Sequence, residues 1–243
     1  MPKTVFITDG SNAVAAAIAE RLAADGYNLV INNPTGAMRT AYGGAVCTDE
    51  CLQSVASVQR ALDKAVAAFG RVDALVHTNN DIQRSSIESV STEDFDAQFG
   101  YNAVTAFLAA RVIGTHMGDN GGGRIVFISS IHDDKPTGSA PIYSISKGAV
   151  GMLVKECALQ LGRRNVQSNL IEVGALEGDG DKLLSDEISG IYQMPEYRMP
   201  LKHMGQPSDI SGVCAFLLSD DARFLNGASI RADGGFTFFY GDR

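Results

Sequence analysis

The sequence lacks the features expected of a protein that binds nucleic acid or a membrane. Acidic residues outnumber basic ones by 28 to 20, which gives a net charge of −8, and no basic run is longer than the pair Arg163 and Arg164. An acidic surface of this kind repels nucleic-acid phosphates and anionic lipids. No apolar run approaches the ~20 residues needed to span a bilayer. We therefore expect neither nucleic acid nor a membrane as a partner.

Paired cysteines and a secretory leader are missing as well. The four cysteines, Cys47, Cys51, Cys157 and Cys214, form no C-x-x-C pair, so we expect reduced thiols, with a metal site at Cys47 and Cys51 as the alternative. The chain enters an apolar strand directly after its start, without a charged segment followed by a long apolar one. These absences predict a cytoplasmic protein that holds no metal.

What the sequence does contain is an alternation of short apolar runs and helical patterns. Apolar runs predict strands near residues 3–8, 29–31, 72–78, 123–130 and 166–173. The segments between them repeat apolar residues at helical spacing. Strands separated by helices imply right-handed crossovers and a parallel sheet covered by helices on both faces. With no linker and no repeat visible, we predict one doubly wound α/β domain, Rossmann-like, over residues 1–243.

The strongest chemical signal is the segment YSISK. Tyr143 and Lys147 are four residues apart and therefore lie on one face of the predicted helix. A free tyrosine has a pKa near ~10, and a lysine ammonium beside it favours the phenolate. Ser130 lies at the carboxyl end of a predicted strand, where the binding sites of open parallel sheets form. The pattern predicts a site at which Ser130 holds an oxygen and Tyr143 transfers a proton.

With these residues identified, the sequence resembles the short-chain dehydrogenase/reductase family over nearly its whole length. GRIVFISS resembles the strand with the family's catalytic serine, here Ser130, and YSISK resembles its Tyr143 and Lys147 pair. GYNAVTAF is similar to the helix whose asparagine, here Asn102, supports a proton-relay water. The tail over residues 200–235 is similar to that of β-ketoacyl reductase-like members. The resemblance implies a homo-oligomer that moves a hydride between a nicotinamide cofactor and a small-molecule carbonyl or alcohol.

The turn after the first strand departs from the family pattern. The family has T-G-x-x-x-G-x-G there, whereas residues 8–15 of this chain are TDGSNAVA, with Asp9, Ala13 and Ala15 at the glycine positions. Glycine reaches positive φ and lets a phosphate approach the backbone, so a carboxylate or a methyl group there hinders a pyrophosphate. The alternative is that Gly10 takes over the turn and Asp9 points away, capping the helix.

Other positions that the resemblance assigns to the dinucleotide are also altered. Val46 replaces an adenine-contacting aspartate, Asn79 replaces a small residue beside the adenosine, and Asn33 replaces the acid of NAD-preferring members. The cofactor is therefore left open between NADP, which Arg39 could contact, NAD, and none. The residues that the resemblance assigns to the cofactor site are Asp9, Gly10, Asn12, Val14, Asn33, Val46, Asn79, Lys147, Val173 and Gly174.

Intact proton-transfer residues beside altered dinucleotide-binding residues leave three functions open. The first is a nicotinamide-dependent oxidoreductase, which Lys147 and Asn102 favour. The second is a non-redox enzyme, such as a lyase, dehalogenase or isomerase, that uses Ser130 and Tyr143 without a dinucleotide. Halohydrin dehalogenases are the precedent, although they carry an arginine where this chain has Lys147. The third is a catalytically silent scaffold.

Two segments are candidates for contacts with a substrate. The charged stretch IHDDKPTG lies between Ser130 and Tyr143, and its His132 could bind a polar or cationic substrate; a solvated loop is the alternative. Residues 175–206 would form a substrate lid by resemblance, with Leu176 and Met194 as wall residues; plain packing on the domain is the alternative. We thus predict substrate contacts from His132, Leu176 and Met194.

Overall fold

The computed structural model describes residues 2–177 and 199–238. Seven strands form one parallel sheet in the order β3-β2-β1-β4-β5-β6-β7. The strands are β1 (Thr4–Ile7), β2 (Asn28–Asn32), β3 (Val46–Thr48), β4 (Ala74–His77), β5 (Gly123–Ser130), β6 (Val166–Val173) and β7 (Ser229–Ala232). This confirms the predicted doubly wound sheet. The strand order reverses between β1 and β4, and ligands of such sheets bind beside that reversal.

Helices connect the strands and cover both faces of the sheet. They are α1 (Ala13–Ala24), α2 (Gly36–Ala41), α3 (Val55–Phe69), α4 (Thr92–Phe99), α5 (Thr105–Ala109), α6 (Thr115–Asp119), α7 (Pro141–Gln160) and α8 (Pro207–Leu218). None of these helices combines the length and the apolar character needed to cross a bilayer.

Two hydrophobic cores hold these layers together. Alternate residues of a strand enter opposite cores, since side chains alternate across a sheet. Phe6 packs with the helices α3 to α7, whereas Val5 and Ile7 pack with α1 and α8. Because the strands are buried on both faces, they appear in the sequence as continuous apolar runs. This burial fixes the carboxyl edge of the sheet, where the polar residues of the site follow the strands.

The structure differs from the predicted boundaries in two places. The sequence predicts a long helix that Ser91 caps and that reaches about Ile113. In the structure Ser91 accepts a hydrogen bond from the Asp94 amide, and the helix continues past Ile113 to the end of α6. It does so through two π-helical segments, Gly100–Val104 and Ala110–Gly114. The passage NNPTGAMRTAYGG after β2 is rich in turn-forming residues, and the sequence predicts turns there. The structure instead contains the short helix α2, capped by Thr35. Six residues are too few to show a helical period.

Candidate active site

Ser130, Tyr143 and Lys147 lie together at the carboxyl edge of the sheet. Ser130 is the last residue of β5, and α7 brings Tyr143 and Lys147 beside it, one helical turn apart. The Nζ atom of Lys147 is 5.4 Å from the centroid of the Tyr143 ring. Ser130 and Tyr143 both line a cleft of about 310 Å³, which is called the main cleft below. A substrate oxygen in this cleft can therefore meet a hydroxyl from each of the two residues.

Lys147 is a buried cation, with only 1% of its surface exposed. Its Nζ donates hydrogen bonds to the carbonyl oxygens of Asn79, at 3.2 Å, and of Ile128, at 3.5 Å. Burial lowers the pKa of Lys147 to about 7, and the charge of Asp133 acts in the opposite direction. The ammonium and the phenol thus form a pair in which the charge of Lys147 changes near neutral pH.

The turn after β4 contributes an asparagine that the sequence analysis missed. The Tyr143 hydroxyl donates a hydrogen bond to Oδ1 of Asn80 at 3.1 Å, and Asn80 lines the cleft. Its neighbour Asn79, the residue selected from the sequence, is buried, and its side chain accepts a hydrogen bond from Thr8 at 2.6 Å. Asn79 therefore contacts Lys147 through its backbone carbonyl, while Asn80 presents its side chain to the phenol of Tyr143.

Asn102 lies in the first π-helical segment and is fully buried. Its amide nitrogen donates to the Asp81 carbonyl at 2.7 Å and to Ser146 Oγ at 3.1 Å, and its oxygen accepts from the Asp81 amide at 2.8 Å. The side chain thus ties the turn that carries Asn80 to α7. π-helical segments are frequent at functional sites. The role of Asn102 in a proton relay stays a prediction.

Asp9 is 2% exposed, and four hydrogen bonds hold its carboxylate. It accepts from the amide and hydroxyl of Ser11, from the Asn33 side chain at 3.0 Å and from the Tyr101 hydroxyl at 2.6 Å. Burial and Asp9 together hold the pKa of Tyr101 well above its usual range. Asp9 therefore turns toward the end of β2, away from the phosphate approach that the family pattern implies.

The N-terminus of α1 is capped by Asn12, not by Asp9 as one alternative expected. Oδ1 of Asn12 accepts from the Ala15 amide at 2.9 Å. Gly10 does carry the turn, for a reason of space: a Cβ there would lie 2.7 Å from Cγ2 of Ile31 and 2.9 Å from Cα of Pro34. Neither Gly10 nor its neighbours in the turn appear among the described residues with positive φ. The turn therefore forms without the left-handed glycines of the family pattern.

Residues of this turn line two clefts. Residues 11–14, which include Asn12 and Val14, line the main cleft, as do Val173 and Gly174. Asp9, Asn33 and Asn79 line a second cleft of about 270 Å³. The first amides of a helix have no intrahelical partner, so the start of α1 can hold a pyrophosphate. Ala13, which stands at one of the family's glycine positions, is exposed and lines the main cleft.

Two of the predicted cofactor residues, Val46 and Gly174, make close contacts with other parts of the domain. Val46 belongs to β3 and packs against the hydrophobic core, and it lines neither of the two clefts. Val46 is half-buried at the start of this three-residue strand, and its contact with an adenine ring stays a prediction. Gly174 lies where β6 passes close to Asp233, and a Cβ there would lie 2.6 Å from Cα of Asp233.

Of the predicted substrate contacts, His132 and Leu176 line the main cleft. The His132 ring lies edge-on to Tyr143, with 6.1 Å between centroids. Its Nδ1 is 2.7 Å from the Lys135 carbonyl, which assigns the proton to Nδ1 and leaves Nε2 as an acceptor. Burial lowers the pKa of His132, so the ring is neutral. Met194 and most of the predicted lid fall outside the described residues.

Comparisons with known proteins extend over nearly the whole chain. A family profile described as enoyl-(acyl carrier protein) reductase matches residues 10–237. An uncharacterised oxidoreductase of Methylorubrum extorquens is 31% identical over 242 residues, which cover 96% of this chain and 97% of that protein. Glucose 1-dehydrogenase 2 of Bacillus subtilis is 29% identical, with 98% and 95% covered. The crystal structure of a gluconate 5-dehydrogenase from Burkholderia cenocepacia, in complex with NADP and tartrate, matches with a TM-score of 0.87 at 26% identity, covering 98% of this chain and 96% of that one.

Proposed function

This chain belongs to the short-chain dehydrogenase/reductase family and is a nicotinamide-dependent oxidoreductase, and from that premise we propose that Tyr143 is its general acid/base. The observation that carries the proposal is the buried Lys147 ammonium 5.4 Å from the ring of Tyr143, which lines one cleft together with Ser130. A phenol next to an ammonium releases its proton more readily than a free tyrosine.

When bound, the nicotinamide supplies or accepts the hydride. In reduction, Tyr143 would give its proton to the carbonyl oxygen of the substrate, and in oxidation it would take the proton from the alcohol oxygen. The Ser130 hydroxyl orients the reacting oxygen by a hydrogen bond. Asn80 holds the Tyr143 hydroxyl at the cleft, and Lys147 stabilises the phenolate that remains after proton transfer.

We propose NAD as the cofactor in preference to NADP. The second cleft, beyond the turn, is lined by the carboxylates of Asp9, Asp49 and Glu50. Arg39, the candidate partner for an adenosine phosphate, is ion-paired with Asp49. Glu50 is ion-paired with Arg60 and Lys64. Asp9 accepts hydrogen bonds from neutral donors and has no basic partner among the residues that the structure describes, so its charge faces this cleft unpaired. A carboxylate accepts hydrogen bonds from ribose hydroxyls and repels a ribose phosphate.

Replacing Asp9 with asparagine is expected to shift the preference toward NADPH. The substitution keeps the shape of the side chain and removes one negative charge, so the ratio of the dissociation constants for NADPH and NADH falls about tenfold. Titration calorimetry of both dinucleotides measures the ratio. Asp25→Asn is the matched control, because it removes the same charge at the exposed far end of α1. An unchanged ratio would contradict the NAD assignment.

We propose a small polyhydroxylated carbonyl or alcohol as the substrate. The cleft is of small-molecule size, and both His132 and Ser130, which carry polar side chains, line it. The related dehydrogenases are named for glucose and gluconate. A panel of sugars, sugar acids and simple secondary alcohols, followed by the absorbance of NADH, tests the function. Turnover of none of them by the wild-type protein would overturn this substrate class.

We also propose that the chain assembles through the outer face of α7. Ile145, Met152 and Leu159 recur every seven residues along this helix and are 53%, 57% and 69% exposed. Phe107 of α5 is also half exposed. Apolar rows of this kind are costly to leave in water and are typical of interfaces. Sedimentation analysis should give a dimer or tetramer, and a monomer would refute the assembly.

We propose a cytoplasmic location, which the four free cysteines support. Cell fractionation tests this location.

A further inference from the structure

A half-buried carboxylate, that of Asp133, packs against α7 one helical turn beyond Lys147, and the reaction described above does not use it. Asp133 belongs to a short 3-10 helix, Ile131–Asp133, that follows β5. Its Oδ2 is 3.5 Å from the point where a Cβ on Gly151 would lie, and its carbonyl oxygen is 3.5 Å from the corresponding point on Gly148. Lys147 and Gly151 are four residues apart, so Asp133 packs against the face of α7 that carries Lys147.

The carboxylate of Asp133 is only partly satisfied. Its Oδ1 is buried and finds no hydrogen-bond partner among the described residues. A buried carboxylate oxygen without a donor is costly, and such groups in native structures usually have an electrostatic or catalytic reason. On α7, the charge that attracts this carboxylate is the ammonium of Lys147.

Neighbouring residues fix the segment that carries Asp133. Nζ of Lys135 donates to the Thr237 carbonyl at 2.6 Å, and Asp134 is 3.3 Å from Arg231 of β7. Arg231 in turn contacts Glu172 of β6 at 2.5 Å. These contacts hold the segment to the last two strands, so Asp133 cannot move away from α7 without breaking them.

We infer that Asp133 is a positioning residue whose negative charge keeps Lys147 protonated, and through Lys147 keeps the phenol of Tyr143 ready to ionise. The inference rests on the proposed role of Tyr143. It assigns to the charged segment after Ser130 a part in setting the pH range of the reaction, in addition to the substrate contact proposed for His132.

The other charges around Asp133 define the sign of the effect. Glu172 and Asp134 repel its charge, whereas Arg231 and Lys147 attract it, and burial is the largest influence, raising the pKa of Asp133 to about 6. Burial lowers the pKa of Lys147 to about 7, and the charge of Asp133 keeps this pKa from falling further. Removing that charge lowers the pKa of Lys147, leaves Lys147 mostly neutral at pH 7, and raises the pKa of Tyr143. Removing an anion also acts on the phenol directly, and this direct effect lowers the pKa of Tyr143.

The experiment is an absorbance titration of tyrosinate in the cofactor-free protein. Subtracting the titration of the Tyr143→Phe variant isolates the signal of Tyr143 from those of the other tyrosines. The same difference is measured for Asp133→Asn and Asp133→Glu, each with and without Tyr143→Phe. We expect Asp133→Asn to move the Tyr143 midpoint upward by about one pH unit and Asp133→Glu to restore it. Asp63→Asn, which removes an exposed carboxylate on α3, is the control and should leave the midpoint in place.

Each outcome separates this inference from the proposal beneath it. If the Tyr143 midpoint stays or falls in Asp133→Asn, the inference is overturned. The effect of Asp133 on Tyr143 through Lys147 would then be no larger than its direct effect on the phenol. A wild-type protein with no Tyr143-dependent titration below the usual tyrosine range overturns the proposed role of Tyr143 itself. Asp133→Ser gives the same comparison if the asparagine variant does not fold.

Discussion

Phenylalanine in place of Tyr143 is expected to lower kcat by about 10²- to 10⁴-fold while the protein stays folded and still binds dinucleotide. The substitution removes only the hydroxyl, and a positioned general acid or base contributes a factor of this size. The ring is buried and packs against His132, so its apolar contacts persist in the variant. Steady-state rates with the best substrate of the panel, for both enzymes, measure the loss.

Tyr27→Phe is the matched control for this prediction. It also removes a phenol hydroxyl, one that hydrogen-bonds to the Leu218 carbonyl at the end of α8, away from the cleft. Its kcat should equal that of the wild type. If Tyr143→Phe retained wild-type turnover, the proton would have to come from another group, and the assignment of Tyr143 would be wrong.

Methionine in place of Lys147 is expected to change activity and stability in opposite directions. Turnover should fall about 10²-fold, because the phenolate loses its ammonium. Stability should rise, because burial holds the pKa of Lys147 at about 7 instead of 10.5, a penalty on the order of 5 kcal/mol at neutral pH. The carbonyl oxygens of Asn79 and Ile128 lose a donor in the variant, which offsets part of this gain. We expect a net gain of about 1–4 kcal/mol in the free energy of unfolding.

The same pKa shift predicts how stability depends on pH. Between about 7 and 10.5, the unfolded chain holds a proton on Lys147 that the folded chain has released, so the wild-type free energy of unfolding rises with pH in this window. Below the window the penalty is present in full, and above it the penalty is gone. Urea unfolding of both proteins at several pH values tests this. A methionine variant that is less stable than the wild type at neutral pH, or that has the same pH slope, would contradict the account.

The sequence predicts most of the fold and the proton-transfer residues, because their signals are local. The buried strands appear as continuous apolar runs, and β5 and β6 have the predicted bounds. Tyr143 and Lys147 are one turn apart on a single helix, so their proximity follows from spacing alone. The π-helical segments leave no periodic signal, and they lengthen the helix beyond its predicted end.

The cofactor side was harder to predict, since its contacts join distant parts of the chain. Asp9 is bonded to Asn33, 24 residues away, and to Tyr101, 92 residues away. No local pattern announces these partners, so the direction of the Asp9 side chain was left open. The choice between Asn79 and Asn80 likewise depends on how the turn after β4 is held, and Asn102 holds it from another element.

We expect this enzyme to hold its dinucleotide at the start of α1, although the turn there is poor in glycine. Thermal unfolding of the wild-type protein with NAD, NADH, NADP or NADPH tests this most directly. A ligand at about 100 times its dissociation constant stabilises the folded state by about 2.7 kcal/mol. We predict a clear rise of the unfolding midpoint with NADH and NAD and a smaller one with the phosphorylated pair. No rise with any of the four, together with a rise caused by halide or small organic anions, would contradict the account and favour a non-redox enzyme.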